Sequence, residues 1–299
     1  MGRIERDDFH LAGCTNGGGM DQTNLAAFPL AAAFPDVPAR QYFACPGRSA
    51  SQCKQMAGHW RAKGPTGEPL TTPRSYEAIY ISPDRRPWHS SAAMAVGSAV
   101  HAICLLPDWR AEIFVSDDAN AVIEHKVRLT SRQFEVAQKV AQKVGPKLAD
   151  LERKCSSVMR ELSLLWLEGP DWSDPGGWRK ARIDWLGLKG RTAIVVDLKV
   201  TDDPRPRRFR QQCETLNYYV QAAQYVRGVR TCLADVVDRV EFYFLAASRE
   251  SPRIVCLHEM PAELLAEAET RRQFLLGEIT RREAEGDWLD PWEDGIWSL

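Results

Sequence analysis

The strongest constraint in this sequence is Arg182–Lys199, where two runs of strand-forming residues flank Gly190-Arg191. A two-residue loop at Gly190-Arg191 predicts a β-hairpin with a type II′ turn, because glycine readily adopts the positive φ that this turn requires. This loop places Asp184 directly opposite Asp197. Lys199 follows Asp197 by two residues and therefore shares its face of the sheet.

Two carboxylates and one amine on a single surface indicate a metal site. Close carboxylates repel one another unless a cation lies between them, and their hard oxygens suit Mg²⁺, with Mn²⁺ as a substitute, better than zinc. The metal can polarise a phosphate and acidify water, which predicts phosphodiester hydrolysis. The structural alternative is a D-x-K sequence on a solvated edge. The opposite face is apolar, and we expect it to be the buried side of the sheet: Ile183, Trp185, Ile194, Val196 and Leu198.

Two helices are predicted before the hairpin. Apolar residues at three- and four-residue steps favour a helix over about 91–106. Ser131 is the expected N-cap of the second helix, which we expect to break at Gly145-Pro146 and to continue through Met159. Residues 1–85 are rich in Gly, Pro and Ala without sustained periodicity, so the sequence predicts an irregular arm or cap there and one domain over 86–299.

The remaining pattern predicts an α/β fold with a mixed sheet flanked by helices. An antiparallel meander precedes one helix, two strands and a final helix that Pro261 opens. The predicted elements are strands Leu162–Leu167, Arg179–Leu186 and Thr192–Val200, a helix over Arg207–Val226, strands Val240–Ala246 and Ile254–Met260, and a helix reaching about Glu285.

Charge and cysteine content exclude little. The chain has 39 Lys+Arg against 40 Asp+Glu, so its net charge does not indicate a nucleic-acid partner. Eight scattered cysteines without a CxxC pair predict reduced thiols in a cytoplasm and no iron–sulfur cluster. The charged N-terminus and the short apolar runs predict neither export nor a membrane span.

An ordered series of motifs resembles the RecE (exonuclease VIII) family of PD-(D/E)XK nucleases, which occurs in phages and prophages. The resemblance covers roughly residues 88–292, including phrases such as Asn217-Tyr-Tyr-Val-Gln-Ala-Ala-Gln-Tyr225. The motifs are, in order, Gly97-x-x-x-His101, Glu161, Arg182-x-Asp184, Asp197-Leu-Lys199 and Gln221-x-x-x-Tyr225.

The resemblance implies a role for each motif residue. Asp184 and Asp197 would be metal ligands, the backbone carbonyl of Leu198 would complete the shell, and His101 would be a further ligand or a near neighbour. Lys199 would position the attacking water. Gln221 and Tyr225 would reach the rim of the catalytic site, and the metal role of Glu161 competes with a purely structural salt bridge.

For DNA contacts, the sequence offers Arg182 and a basic run that follows Lys199 and opens the next predicted helix. Backbone amides at a helix start also attract phosphate, although clustered arginines are often only a solvated helix end. The basic run consists of Arg205, Arg207, Arg208 and Arg210.

The resemblance implies a magnesium-dependent exodeoxyribonuclease that degrades linear double-stranded DNA from an end, 5′ to 3′, in recombination and repair. It also implies a homo-oligomer and a single-strand annealing protein as partner. Two alternatives stay open at the level of sequence: an endonuclease or single-strand nuclease of the same fold, and a DNA-binding recombination module without activity. The N-terminal 85 residues could be a cap, an oligomerisation arm or a tether.

Overall fold

The protein is described from a computed structural model, which covers residues 30–35, 37–45, 47–63, 67–84, 91–169, 175–290 and 293. Six strands form one sheet in the order β1-β4-β5-β6-β7-β8, and β2 and β3 form a separate parallel pair. The strands are β1 Ala31–Phe34, β2 Ile113–Val115, β3 Val127–Leu129, β4 Ser157–Leu167, β5 Trp178–Lys189, β6 Thr192–Thr201, β7 Arg239–Ser248 and β8 Val255–Glu259.

Helices cover both faces of the large sheet. The buried side chains of α2, α7 and α8 pack in the hydrophobic core on one face of the sheet, and those of α4 and α5 pack in the core on the other. The helices are α1 Ala39–Ala44, α2 Ala50–Met56, α3 Pro73–Tyr76, α4 Ala92–Leu105, α5 Ser131–Glu152, α6 Pro206–Thr215, α7 Tyr218–Cys232 and α8 Ala262–Glu285. In the described part of the chain, none of the helices combines the length and the apolar character that a membrane crossing requires.

The large sheet is mixed, as the sequence predicts. β4, β5 and β6 form the antiparallel meander, while β6 and β7 are parallel and are connected through α6 and α7. A tight turn reverses the direction of the chain and so makes an antiparallel pair. Two parallel strands therefore need a longer crossover connection. The α/β fold class is therefore confirmed.

The hairpin prediction is confirmed in register. Lys189 pairs with Thr192, so the loop is Gly190-Arg191, and Gly190 has φ 58°. Both faces of the hairpin are buried, and the predicted apolar face is right for all its residues except Ile183, which lies on the opposite face. Val196 packs on the α4 and α5 side, whereas Ile183 packs with α2, α7 and α8.

Helix α5 differs from the prediction at both ends. Its N-cap is Thr130, whose hydroxyl accepts the Gln133 N–H at 3.2 Å, rather than Ser131. The helix also continues through Pro146 instead of breaking, since its buried stripe of Val140, Val144 and Leu148 runs across the proline. It ends at Glu152, so Met159 lies in a strand and not in a helix.

The described part of residues 30–84 is regular, so the expectation of an irregular arm is wrong there. β1 pairs with Ser163–Trp166 of β4, and α2 packs on α7. Buried Met56 and Trp60 join the main core, so tertiary packing gives this short, Gly- and Pro-rich stretch its order. The division of the chain into domains at residue 85 stays a prediction, and residues 1–29 lie outside the described residues.

Candidate active site

The predicted carboxylates lie where β5 and β6 separate. The register of the two strands brings Asp184 level with Asp197, but the paired ladder stops at Trp185 and Val196. Beyond this point the Leu198 N–H donates to Asp184 Oδ2 at 2.8 Å. A side chain has therefore replaced a strand partner, which fixes the carboxylate at the fork between the strands.

Asp197 is fully buried and has two side-chain partners. Lys199 forms an ion pair with its Oδ2, and Gln221 Nε2 donates to its Oδ1 at 2.9 Å. The same Gln221 nitrogen donates to the Tyr225 hydroxyl at 2.9 Å, and the Lys199 ammonium lies 4.8 Å from the centre of the Tyr218 ring. Helix α7 thus supplies the polar wall against which the Asp197–Lys199 pair rests.

A second group forms around Asp184. His101, Glu161 and Asp184 can each present a ligand atom such that all three atoms lie within 4.8 Å of one another. His101 comes from α4 on the other face of the sheet, and its Nδ1 lies 3.5 Å from Asp184 Oδ2. Glu161 has a left-handed backbone (φ 52°) within β4 and forms an ion pair with Arg182. The sequence leaves open whether Glu161 binds a metal or only forms a salt bridge. In the structure it forms the salt bridge and also belongs to the group of three possible metal ligands.

The electrostatics of this group show a shortage of positive charge. Burial and the neighbouring charge of Asp197 raise the pKa of Asp184 to about 7. Burial and the charge of Asp184 likewise raise the pKa of Glu161. Burial lowers the pKa of Lys199, but its acidic neighbours, Asp197 foremost with Tyr218 and Asp184, together outweigh this effect, so its pKa is raised and the ammonium stays charged.

The donor set fits a hard divalent cation. Among the described residues, Asp184 has no lysine or arginine ion-pair partner, so its charge is left for a cation to balance. His101 Nε2 lies 2.7 Å from the Leu198 carbonyl oxygen. Adjacent ligands of an octahedral ion with bonds of about 2.1 Å lie about 3 Å apart, so this pair can either hydrogen-bond or share one ion. His101 presents its other nitrogen, Nδ1, to Asp184, so Asp184, Glu161 and His101 are the set that converges on one point and is able to hold a divalent cation. The ligand roles of Asp197 and of the Leu198 carbonyl stay predictions.

Comparison with known proteins identifies the family of the chain and a protein of similar fold. The model of the PDDEXK-like domain of unknown function DUF3799 matches residues 49–281. The chain belongs to this family. A crystal structure from Eubacterium rectale described as a "Putative exonuclease" has a similar fold, with a TM-score of 0.57 and 15% identity over 88% of this chain and 95% of that one. A search of the curated proteins gives no match.

The PDDEXK-like domain includes one site residue that the sequence did not reveal. Lys54, on α2, donates to Gln221 Oε1 at 3.0 Å and lies 5.3 Å from the centre of the Tyr218 ring. Burial, together with the nearby Lys199 charge, lowers the pKa of Lys54 to about 8. Its only sequence signal was a lysine within a short run capped by Ser49, which local periodicity does not distinguish from surface.

The predicted DNA-contacting arginines lie apart from the carboxylate cluster, with one exception. Arg182 forms the ion pair with Glu161 and is mostly buried, so it holds that carboxylate in place. Arg205 pairs with Asp203 at 2.6 Å just before α6. Arg207, Arg208 and Arg210 are exposed on the first turns of α6, whose buried side carries Phe209. Their contact with DNA stays a prediction.

Gly97, the glycine of the first motif, is not in close contact with the sheet. A Cβ atom built there would lie 4.0 Å from the Val200 Cβ, which is an ordinary contact. Close packing of α4 against the sheet therefore does not require this glycine. Packing does require a glycine at position 228 on α7, where a Cβ would come within 2.8 Å of the buried Trp166 ring.

Proposed function

We propose that this protein is a magnesium-dependent deoxyribonuclease of the RecE type that degrades linear double-stranded DNA from an end, 5′ to 3′. One observation carries the proposal: Asp184, Glu161 and His101 converge at the strand fork beside the Asp197–Lys199 pair. An excess of buried carboxylate beside a protonated lysine is the arrangement that metal-dependent phosphodiester hydrolysis requires.

Some residues of the site would bind the metal or stabilise charge, and others would hold those residues in position. A bound Mg²⁺ would polarise the scissile phosphate and acidify a water molecule. Lys199 keeps its proton because of Asp197, so its ammonium can orient the attacking water or stabilise charge that develops on the phosphate. Gln221 and Tyr225 act through Asp197, since the amide holds one carboxylate oxygen in place while the phenol holds the amide.

Preference for DNA ends and 5′ to 3′ polarity are the finer part of the proposal. Both are supported by the resemblance of the ordered motif series from Gly97 to Tyr225, and action from an end is supported also by the description of the Eubacterium rectale protein as a "Putative exonuclease". We further propose a homo-oligomer that threads DNA and passes single strands to an annealing protein in recombination and repair. The arginines that open α6 would contact the phosphate backbone.

The experiment compares linear and covalently closed circular duplex DNA, each with Mg²⁺, with Mn²⁺ and with EDTA. Wild type is assayed beside Asp197→Ala and Lys199→Ala, with Lys143→Ala on the exposed side of α5 as the control. We expect metal-dependent loss of linear DNA alone, abolished by both site substitutions and retained in the control. 5′-labelled and 3′-labelled linear substrates then give the polarity.

Each other outcome points elsewhere. Cutting of closed circles would replace the exonuclease with an endonuclease of the same fold, and cutting of single strands alone would replace the duplex substrate. DNA binding without hydrolysis under any metal would identify an inactive recombination module. Hydrolysis in EDTA would overturn the metal site itself.

A further inference from the structure

The N-terminal helix α2 brings a second lysine to the candidate site. The Lys54 and Lys199 ammoniums lie 5.3 and 4.8 Å from the centre of the same Tyr218 ring. Lys199 is neutralised by Asp197, whereas Lys54 forms no ion pair with a carboxylate among the residues that the structure describes. The positive charge of the Lys54 ammonium is therefore not paired with a carboxylate of the site.

The position of α2 is fixed at both ends by buried amides of the α7 region. Before the helix, the Arg48 carbonyl accepts a hydrogen bond from Gln224 Nε2 at 3.1 Å. After it, the Gly58 carbonyl accepts one from Asn217 Nδ2 at 3.0 Å. Both amides are buried, so these bonds are shielded from water and hold the helix in register with α7. The place of Lys54 is therefore built into the fold.

Lys54 also determines which way the Gln221 amide faces. An ammonium can only donate hydrogen bonds, so the oxygen of the amide must face Lys54 and its nitrogen must face Asp197. The amide nitrogen then meets two acceptors, the Asp197 carboxylate and the Tyr225 hydroxyl. Asp197 only accepts hydrogen bonds and therefore favours the same orientation, so Lys54 and Asp197 hold the amide from its two ends.

We propose that Lys54 is a phosphate-binding residue of the site, which orients Gln221 with one N–H and donates its remaining N–H groups to a phosphate oxygen of the bound DNA strand. Lys54 is half-buried as a residue, and its ammonium faces the same Tyr218 ring as the Lys199 ammonium, which places it in the wall of the site. Although burial lowers its pKa to about 8, the group is still mainly protonated at neutral pH. This inference rests on the proposed action on DNA.

The test measures binding of a short blunt-ended duplex in EDTA as a function of salt concentration, so that no turnover is needed. Lys54→Met removes the charge and keeps the length, Lys54→Arg keeps the charge, and Lys143→Met is the exposed control on α5. One lost phosphate contact lowers the slope of log affinity against log salt by about 0.9. We expect that change for Lys54→Met alone, with Lys54→Arg and Lys143→Met close to wild type.

A second measurement separates phosphate contact from a merely structural role. Duplexes that each carry one uncharged methylphosphonate identify the phosphates that wild type needs. At one position near the end, Lys54→Met should be insensitive to a modification that weakens wild type several-fold. Equal sensitivity of both proteins at every position, or an unchanged salt slope, would overturn the inference.

The two proposals fail in different ways. If wild type cleaves DNA and Lys54→Met matches it in salt slope and methylphosphonate profile, only the role of Lys54 is wrong. If wild type binds DNA with the expected dependence on Lys54 but never cleaves it, the hydrolytic function is wrong and the lysine contact stands. Absence of DNA binding by wild type would overturn both. Circular dichroism and thermal unfolding of each variant show that a lost effect does not come from a lost fold.

Discussion

Two buried charge clusters lie on the same pair of strands, β4 and β5, and their electrostatics are opposite. In the first, Glu168 receives two hydrogen bonds from Arg272, both at 2.9 Å, and further ones from Arg179 at 3.2 Å and Arg227 at 3.0 Å. Burial raises the pKa of Glu168, but the hydrogen bonds and charge of Arg272, with the Trp166 hydrogen bond and the Arg179 charge, together outweigh it and lower the pKa to about 2. In the second, the pKa of Asp184 is raised to about 7.

The difference separates a structural cluster from a functional one. Three arginines satisfy one carboxylate in the Glu168 cluster, so it needs nothing from outside the chain. At the strand fork, carboxylates outnumber the cations that contact them, and Asp184 depends on a backbone N–H and a histidine. Burial of charge alone therefore does not identify a site, whereas an unbalanced buried charge does.

The largest expected effect is on cleavage. Asp184→Asn keeps an acceptor for the Leu198 N–H but removes the negative charge, so metal-dependent hydrolysis should fall at least about 10³-fold, equivalent to about 4 kcal/mol. Glu168→Gln, assayed per folded molecule at low temperature, should stay within about twofold of wild type. Initial rates with saturating Mg²⁺ test both. Equal losses in the two variants would break the distinction between the clusters.

The next effect is on stability and has the opposite ranking. Among the described residues, Glu168→Gln leaves the buried Arg179 without a carboxylate partner and Arg272 with Glu269 alone, which should lower the free energy of unfolding by roughly 3–5 kcal/mol. Urea unfolding followed by circular dichroism measures it, with Glu135→Gln on the exposed side of α5 as the control. A loss below about 1 kcal/mol would mean that the arginine cluster is not structural.

Metal binding should separate the clusters by a smaller amount. Mg²⁺ at one hundred times its dissociation constant should add about 2.7 kcal/mol to the stability of wild type. Glu168→Gln should keep this increment on its lower baseline, because its site is intact, whereas Asp184→Asn should lose most of it. Urea midpoints with Mg²⁺ and with EDTA give the comparison, and an undiminished increment in Asp184→Asn would place the metal elsewhere.

The smallest expected effect is the pH dependence of metal affinity. The pKa of Asp184 in the folded, metal-free protein is raised to about 7, so a proton competes with Mg²⁺ below that pH. Apparent affinity should fall by up to tenfold, or about 1.4 kcal/mol, between pH 7 and 6, and should level off above pH 8. Because this pKa is raised, the stability that it contributes is present at low pH and is lost as pH rises through 7. Isothermal titration at several pH values measures the slope, and a flat profile would contradict the raised pKa.

What the sequence predicts well is governed by local rules. The register of the β5–β6 hairpin follows from the Gly190-Arg191 turn and from the alternation of side chains along the strands. Helix α4 follows from the spacing of its apolar residues and from Pro107, which comes after its end. The continuation of α5 through Pro146 does not follow from such rules. Its apolar stripe is buried against α4 and the sheet, and that burial outweighs the missing N–H.

What the sequence leaves out is governed by contacts between distant segments. Lys54 reaches Gln221 across 167 positions, and α2 has only seven residues, too few for a clear periodic signal. The cluster position of Glu161 depends on a left-handed backbone within a strand, which a non-glycine residue rarely adopts and which no local pattern announces. Alternation along β5 and β6 thus places Asp184, Asp197 and Lys199, and the motif resemblance adds Glu161 on β4, but no sequence signal points to Lys54 on α2.

The four-residue strand β1 has a consequence for handling the protein. It covers β4 at the outer edge of the sheet along Ser163–Trp166, a stretch whose side chains are buried. A version of the chain shortened past Phe34 would leave the amides and carbonyls of this apolar strand without partners. An open edge of that kind is a template for a strand from another molecule, so the shortened protein would self-associate and precipitate. We therefore expect β1 to protect the edge of the sheet from intermolecular strand pairing while the protein is expressed and concentrated.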